Sequence, residues 1–204
     1  MRDENRKKRH ETIAAAAYAL LAEHGYGGTS MLRVAKTASA SNETLYRWYG
    51  DKDGLFAQMI EDNAAEIRDM LTAALSGSDA PEATLRAAAP VLLRMLVGDR
   101  AVLLNRAAAA DATGRLGAAI SAGGRGQVMP LLDRVMARLC ADAPGEAERM
   151  TGWLLALLIG DWQIRRVIGE MARPGEAEIA ARSAAAVDGV LRLIGDLPGG
   201  KAPG

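Results

Sequence analysis

Apolar residues recur at three- and four-residue intervals along most of this chain, the period of one face of an α-helix. Ile13, Ala16, Ala17, Leu20 and Leu21 mark such a face and predict a first helix over 6–24. Gly25, with Gly27 and Gly28 close behind, ends it, because glycine takes the left-handed closing conformation at least cost. Two short helices are predicted at 30–37 and 42–48, then a longer one at 52–75. Ser76-Gly77-Ser78-Asp79-Ala80-Pro81 is a break, with turn residues ahead of a proline suited to a helix's first turn. Beyond it the pattern predicts helices at 82–97, 99–112, 115–122, 126–142, 146–171 and 176–195. Gly98-Asp99, Gly123-Gly124, Ala143-Pro144-Gly145 and Arg173-Pro174-Gly175 separate them. No repeat of fixed period is present, and the Pro- and Gly-rich tail at 197–204 is expected to be disordered.

Composition supports an all-α reading. Half of the 204 residues are apolar, yet aromatics make up only 4%, so the residue types that pleated sheets prefer are scarce. The length suits one or two small domains with a real core. Lys and Arg balance Asp and Glu at 25 each, which excludes a bulk polycation or an acidic tail. The longest apolar run, Trp153 to Gly160, falls far short of the ~20 residues a membrane span needs. The N-terminus leads from charged residues into an amphipathic helix without a signal-peptide apolar region, and the single Cys140 permits no internal disulfide. A soluble cytoplasmic protein is expected.

Charge is uneven along the chain. Residues 1–54 carry nine cationic against seven acidic side chains, and the first ten carry five against two, with His10 beside them. Such a bias suits a nucleic-acid face and equally a solvated helix end.

The stretch from Thr29 to Tyr49 has the spacing of a helix–turn–helix. Thr29 is placed to cap the first short helix and Ser41 the second. Val34, Ala35 and Ala38 form the inner face of the first, and Leu45 and Tyr49 that of the second. The outer face of the second is then Asn42, Glu43, Thr44, Tyr46, Arg47 and Trp48. These are hydrogen-bonding, cationic or flat side chains of the kind that reach base edges and phosphates.

At these residues the chain resembles the tetracycline-repressor (TetR) family of transcriptional regulators. The resemblance rests on Ala16-Ala17, Gly25-Tyr26, Thr29-Ser30, Val34-Ala35 and Ser41-x-x-Thr44-Leu45-Tyr46, followed in register by Tyr49, Lys52, Leu55 and Phe56, and covers residues 11–60. Three departures stand out. The usual Ala-Gly-Val turn is Ala38-Ser39-Ala40, so Ser39 sits where glycine ordinarily supplies a left-handed residue, a strain of about 1 kcal/mol. Tyr49 replaces the commoner Phe and adds a hydroxyl that needs a partner. Where some members carry a base-reading Arg on the first short helix, this chain has Leu32, with Arg33 next to it.

The resemblance implies a helix–turn–helix DNA-binding domain at 1–53, a helical regulatory and dimerisation domain at 54–196, and the tail. Asn42, Glu43, Thr44 and Arg47 are the implied base readers. Ser30, Tyr46, Trp48 and Lys52 are the implied phosphate contacts, with Ser41 at the helix start and Arg33 also placed to touch a phosphate. Tyr46 and Trp48 equally suit a packed core, and Glu43 suits a helix start favoured by the dipole. Weaker likeness persists in Arg106-Ala107-x-Ala109-Ala110-Asp111 and in Leu154-x-x-Leu157-Leu158-x-Gly160-Asp161-x-x-x-Arg165. A small-molecule effector, a homodimer and a palindromic operator follow as expectations, since paired reading helices enter grooves ~34–36 Å apart.

For the dimer interface the apolar stripes nominate Leu154, Leu158 and Ile164 in one long helix and Ile179, Val187, Val190, Leu191 and Ile194 in the other, with Gly160 easing a helix crossing. Met95, Leu103, Met129, Leu132, Trp153 and Leu157 are candidate effector-pocket walls, with Asn105 or Arg106 as a polar contact; Met-rich, aromatic-poor walls adapt to a bulky or flexible apolar ligand. All of these equally suit a plain core.

Catalysis has no visible carrier. The two histidines, His10 and His24, form no E-x-x-H metal pair, Cys140 has no evident base, and Gly123-Gly124-Arg125-Gly126 lacks the strand and Lys-Ser/Thr of a phosphate loop. No enzyme activity, cofactor or metal is expected. The rival reading is a helical adaptor that does not use DNA.

Overall fold

Alanine, leucine, methionine, arginine and glutamate lose little side-chain freedom in a helix, and the backbone follows their abundance. The computed structural model describes residues 2–197, and all regular structure among them is helical. The tail expected to be disordered lies, after Leu197, outside the described residues. In chain order the helices are α1 (Arg2–Gly28), α2 (Met31–Thr37), α3 (Asn42–Tyr49), α4 (Lys52–Ser76), α5 (Pro81–Val97) and α6 (Asp99–Ala109). There follow α7 (Arg115–Ile120), α8 (Gly126–Leu139), α9 (Ala147–Ile159), α10 (Trp162–Ile168) and α11 (Glu176–Gly195). No described helix is long and apolar enough to cross a membrane.

Packing divides the described chain into two compact units. One comprises the chain through Asn63 together with Arg100–Gly124; the other comprises Ala64–Asp99 and the chain from Arg125 onward. The first is built on Ile13, Ala17 and Leu21 of α1, Val34 and Ala35 of α2, Leu45 of α3, and Leu55, Phe56 and Met59 of α4. Leu104 and Ala107 of α6 and Leu116 of α7 complete its core. In the second, Ile67 and Leu71 of α4 pack with Leu85 and Leu93 of α5, Leu132 and Met136 of α8, Leu154 and Leu158 of α9, and Val187 and Val190 of α11. Each of these large side chains withdraws from water for roughly 1.5–3 kcal/mol.

The helix boundaries correct the sequence reading at several points. The expected helix at 146–171 is two helices, because Gly160 adopts φ 48°, ψ −126° and ends α9. Arg182 donates from Nε to the freed Leu158 carbonyl at 2.6 Å and lies 4.5 Å over the Trp162 ring, so Gly160 ends a helix where a crossing was expected. Conversely, Gly123-Gly124 does not break the chain: α7 runs into α8 through one wide turn, Ser121–Arg125. The helix at 99–112 stops at Ala109, and that at 126–142 stops at Leu139. In α10, the buried Arg166 donates to the Val97 carbonyl at 2.9 Å, the Met171 carbonyl at 3.2 Å and Asp99 at 2.5 Å, so its charge is paired where it is buried.

Candidate nucleic-acid interface

The geometry of this site begins at Gly25, whose φ of 66° interrupts α1 and turns the chain toward α2. Thr29 is buried and donates its hydroxyl to the Gly25 carbonyl at 2.8 Å, closing that turn. It therefore does not cap α2 as expected. The cap is the neighbouring Ser30, whose Oγ accepts the Arg33 N–H at 3.3 Å. Arg33 is exposed, and its guanidinium folds back to donate to the Gly28 carbonyl at 3.0 Å.

Between α2 and α3 the chain turns within four residues. The Ala38 and Ala40 N–H groups donate to the Val34 and Ala35 carbonyls at 2.9 and 2.8 Å. This closure needs a left-handed residue, and Ser39 supplies it at φ 48°, the one non-glycine with positive φ among the described residues. Arg9 of α1 donates from Nη2 to the Ser39 carbonyl at 2.7 Å, pinning the strained peptide from outside.

Ser41 caps α3 as expected, accepting the Thr44 N–H at 3.1 Å, and the two hydroxyls meet at 2.7 Å. Leu45 is fully buried and seats the helix on the core. Tyr49 finds the partner its hydroxyl requires: His10 Nδ1 lies 2.7 Å from Oη, and His10 Nε2 lies 2.5 Å from Asp62 of α4. Burial, reinforced by the Asp62 charge and opposed by Arg6, pushes the Tyr49 hydroxyl up to about 12. Trp48 is half-buried, edge-on to Tyr49, with the Arg6 guanidinium 5.4 Å from its ring centroid.

With its inner face so occupied, α3 turns Asn42, Glu43, Tyr46 and Arg47 to solvent, and Tyr46 is 50% exposed. These four, with Ser30, Arg33 and Ser41, form the accessible part of the expected set. Thr44 is half-buried and engaged with Ser41. Lys52 is half-buried too: its ammonium donates to the Tyr26 carbonyl at 3.0 Å and lies 3.9 Å over the Tyr26 ring. The Tyr26 hydroxyl donates to Asp53, and burial together with that carboxylate raises its pKa well above the usual tyrosine value. Three residues absent from the sequence-derived set, Arg6, Arg9 and His10, position α3 and the turn before it. The basic run at the N-terminus was their only signal. Arg6 and His10 border, with Lys7, Trp48, Tyr49, Gln58 and Asp62, an open cleft of about 290 Å³.

The candidate effector residues are not brought together within one unit. Met95, Met129, Leu132, Trp153 and Leu157 belong to the second, whereas Leu103, Asn105 and Arg106 belong to the first. Leu132 is buried, and Asn105 donates to the Ala101 carbonyl at 2.8 Å. Of the candidate interface residues, Leu154, Leu158, Ile179, Val187 and Val190 are at most 1% exposed and fill the second unit's own core. Leu191 and Ile194 are half-buried and Ile164 is exposed. The large apolar side chains that α9, α10 and α11 leave in solvent are Trp153, Leu157, Ile164, Ile168 and Leu193.

Comparison with known proteins agrees with this geometry. Residues 13–59 match the model for bacterial regulatory proteins of the tetR family. No curated protein matches the chain. Among solved structures, a Mesorhizobium loti protein assigned to the TetR-family transcriptional regulators is similar at 25% identity and a TM-score of 0.72, over 92% of this chain and 96% of that one. A TetR transcriptional regulator from Agrobacterium tumefaciens is similar at 27% identity and 0.66, over 91% and 93%. The regulator FadR from Bacillus subtilis, solved in complex with stearoyl-CoA, shares the fold at 14% identity and 0.64, over 89% and 97%. With its helix–turn–helix at 31–49 and its all-helical remainder, the chain is similar in fold to TetR-family transcriptional regulators, and residues 13–59 match that family's N-terminal domain.

Proposed function

We propose that this chain is a ligand-responsive repressor that binds a palindromic operator as a homodimer in the cytoplasm. The observation that carries the reading is α3 itself: capped by Ser41, seated by Leu45, tied down through Tyr49, and presenting Asn42, Glu43, Tyr46 and Arg47 outward. Asn42, Glu43, Thr44 and Arg47 read bases; Ser30, Arg33, Tyr46 and Trp48 meet the backbone, and Lys52 holds the loop before α2 while its remaining N–H donors face a phosphate. On this reading residues 1–53 are the DNA-binding portion and 54–196 the regulatory and dimerising portion.

Two chains are needed because one seven- or eight-residue helix contacts too few base pairs for useful specificity, and a two-fold pair doubles the site. The exposed apolar side chains of α9 and α11, Trp153, Leu157 and Leu193, support an interface formed by the outer faces of those helices. The effector class is apolar or amphipathic. Met95, Met129 and Leu132 supply adaptable apolar walls, and the same fold accommodates stearoyl-CoA in the Bacillus subtilis protein. Effector shifts DNA affinity only by binding the DNA-incompetent state more tightly than the competent one.

Selection of bound duplexes from a random pool, with the full chain, tests the reading. It expects an inverted-repeat winner whose affinity falls steeply with salt, and Arg47→Ala relaxing the sequence preference. Screening amphipathic small molecules for release of that duplex then tests the effector. A monomer that retains no duplex in dilute buffer overturns the reading and leaves a helical partner-binding protein in its place.

A further inference from the structure

We infer that Leu32 reads the C5-methyl group of a thymine in the operator, so that α2 contributes apolar rather than hydrogen-bonded specificity. The inference rests on the DNA-binding reading above and names a further specificity-determining residue within it.

Leu32 is 66% exposed, the most exposed large apolar side chain among the described residues. It has no part in seating α2. That work falls to Met31, Val34 and Ala35, each at most 5% exposed, and the following turn is closed by the buried Ala38. Its neighbours on the outer side of α2 are polar or cationic: Ser30 caps the helix, and Arg33, Lys36 and Thr37 are all exposed. A leucine in this setting forgoes its burial free energy in the unbound chain and recovers it only when something covers it.

The surrounding charge selects the occupant. Arg33 and Lys36 flank Leu32 with positive charge, and the turn that joins α2 to α3 is held by Arg9, a third cation. A surface of cations around one apolar knob complements a polyanion that carries an isolated apolar group. Duplex DNA has one such group in the major groove, the thymine C5-methyl. A phosphate offers a leucine nothing, and the other base edges present donors and acceptors that an aliphatic side chain would leave unpaired. Continuity with the outward face of α3, through a turn of four residues, puts α2 beside the same groove.

Deoxyuridine differs from thymine by this methyl alone, which makes the test specific. With the full chain and the duplex selected above, each thymine is replaced in turn by deoxyuridine. The assignment expects a loss of roughly fourfold at one thymine of each half-site, the worth of one buried methyl. Leu32→Ala, which removes exposed atoms and leaves the core untouched, is expected to bind the thymine duplex more weakly by a similar factor. It should show no further loss on deoxyuridine at that position. A flat scan, or a deoxyuridine penalty that persists undiminished in Leu32→Ala, overturns the assignment while leaving DNA binding intact. Retention of no duplex at all overturns both, and capture of a protein partner sensitive to Leu32→Ala would then identify what covers the residue.

Discussion

Tyr49 Oη stands 2.7 Å from His10 Nδ1, which ties the last turn of α3 to α1, and through His10 to Asp62 of α4. Thirty-nine residues separate the two partners in sequence, so the bond is a tertiary one. Tyr49→Phe keeps the ring against Trp48 and removes only the hydroxyl. It is expected to cost about 1 kcal/mol, and His10→Ala a similar amount. The double variant is expected to cost clearly less than the sum, because both remove one interaction. Thermal unfolding of the four proteins measures the coupling, and strict additivity would count against a working bond.

Ser39 pays for its left-handed backbone without the freedom of glycine. Ser39→Gly relieves about 1 kcal/mol of steric strain, partly offset by the greater flexibility of glycine in the unfolded chain. The expected result is a stabilisation of at most about 0.6 kcal/mol, read as a higher denaturant midpoint with an unchanged slope. The Arg9 bond survives because it goes to the Ser39 carbonyl. Ser39→Val, β-branched at the same φ, is expected to destabilise.

What was legible in the sequence is what local spacing determines. The Ser41 cap acts over three residues, and the inward Leu45 and Tyr49 lie one turn apart; the left-handed Ser39 was legible through the resemblance instead, since it stands where the family carries glycine. Where two chemically similar residues adjoin, spacing does not choose between them, and so Ser30 rather than Thr29 caps α2. Partners distant in sequence were equally hidden: His10 for Tyr49, Arg9 for Ser39 and Tyr26 for Lys52. An apolar stripe shows that a helix face is covered without saying by what. Leu154, Leu158, Ile179, Val187 and Val190 therefore read as interface and core alike, and only packing shows that they fill their own unit. Gly160 was ambiguous for a related reason, since glycine both permits close approach and ends helices.

Gly160→Ala tests the break between α9 and α10. The backbone there is left-handed, and an added Cβ would stand 2.2 Å from Arg182 Nη2. The guanidinium has to leave, releasing both the Leu158 carbonyl and the face of Trp162. The expected cost is on the order of 2 kcal/mol, from backbone strain plus a charge-assisted hydrogen bond. A changed Trp162 fluorescence, isolated in a Trp48→Phe, Trp153→Phe background, distinguishes loss of the stacked cation from a general loosening. Unchanged stability and emission would show that the break tolerates a side chain.

Alkaline titration reports on the first unit through its tyrosines. Burial pushes Tyr18 up to about 12, against a lowering by Arg100, and Tyr49 up to about 12, while Tyr26 is raised by burial and by Asp53. Each phenol thus binds its proton more tightly folded than unfolded, where the ordinary value is near 10. For a group raised in this sense, the stabilisation is fully present below pH 10 and is lost as pH rises from there through the folded value. The chain is therefore expected to hold constant stability, as far as these tyrosines determine it, up to about pH 10 and to lose it steeply toward pH 12. Tyr46→Phe removes the fourth tyrosine, so that ultraviolet phenolate absorbance follows these three alone. The absorbance should rise late and together with the loss of helical circular dichroism, because ionisation and unfolding are linked. Ionisation complete near pH 10 with the helices intact would mean that these hydroxyls are neither buried nor bonded as described.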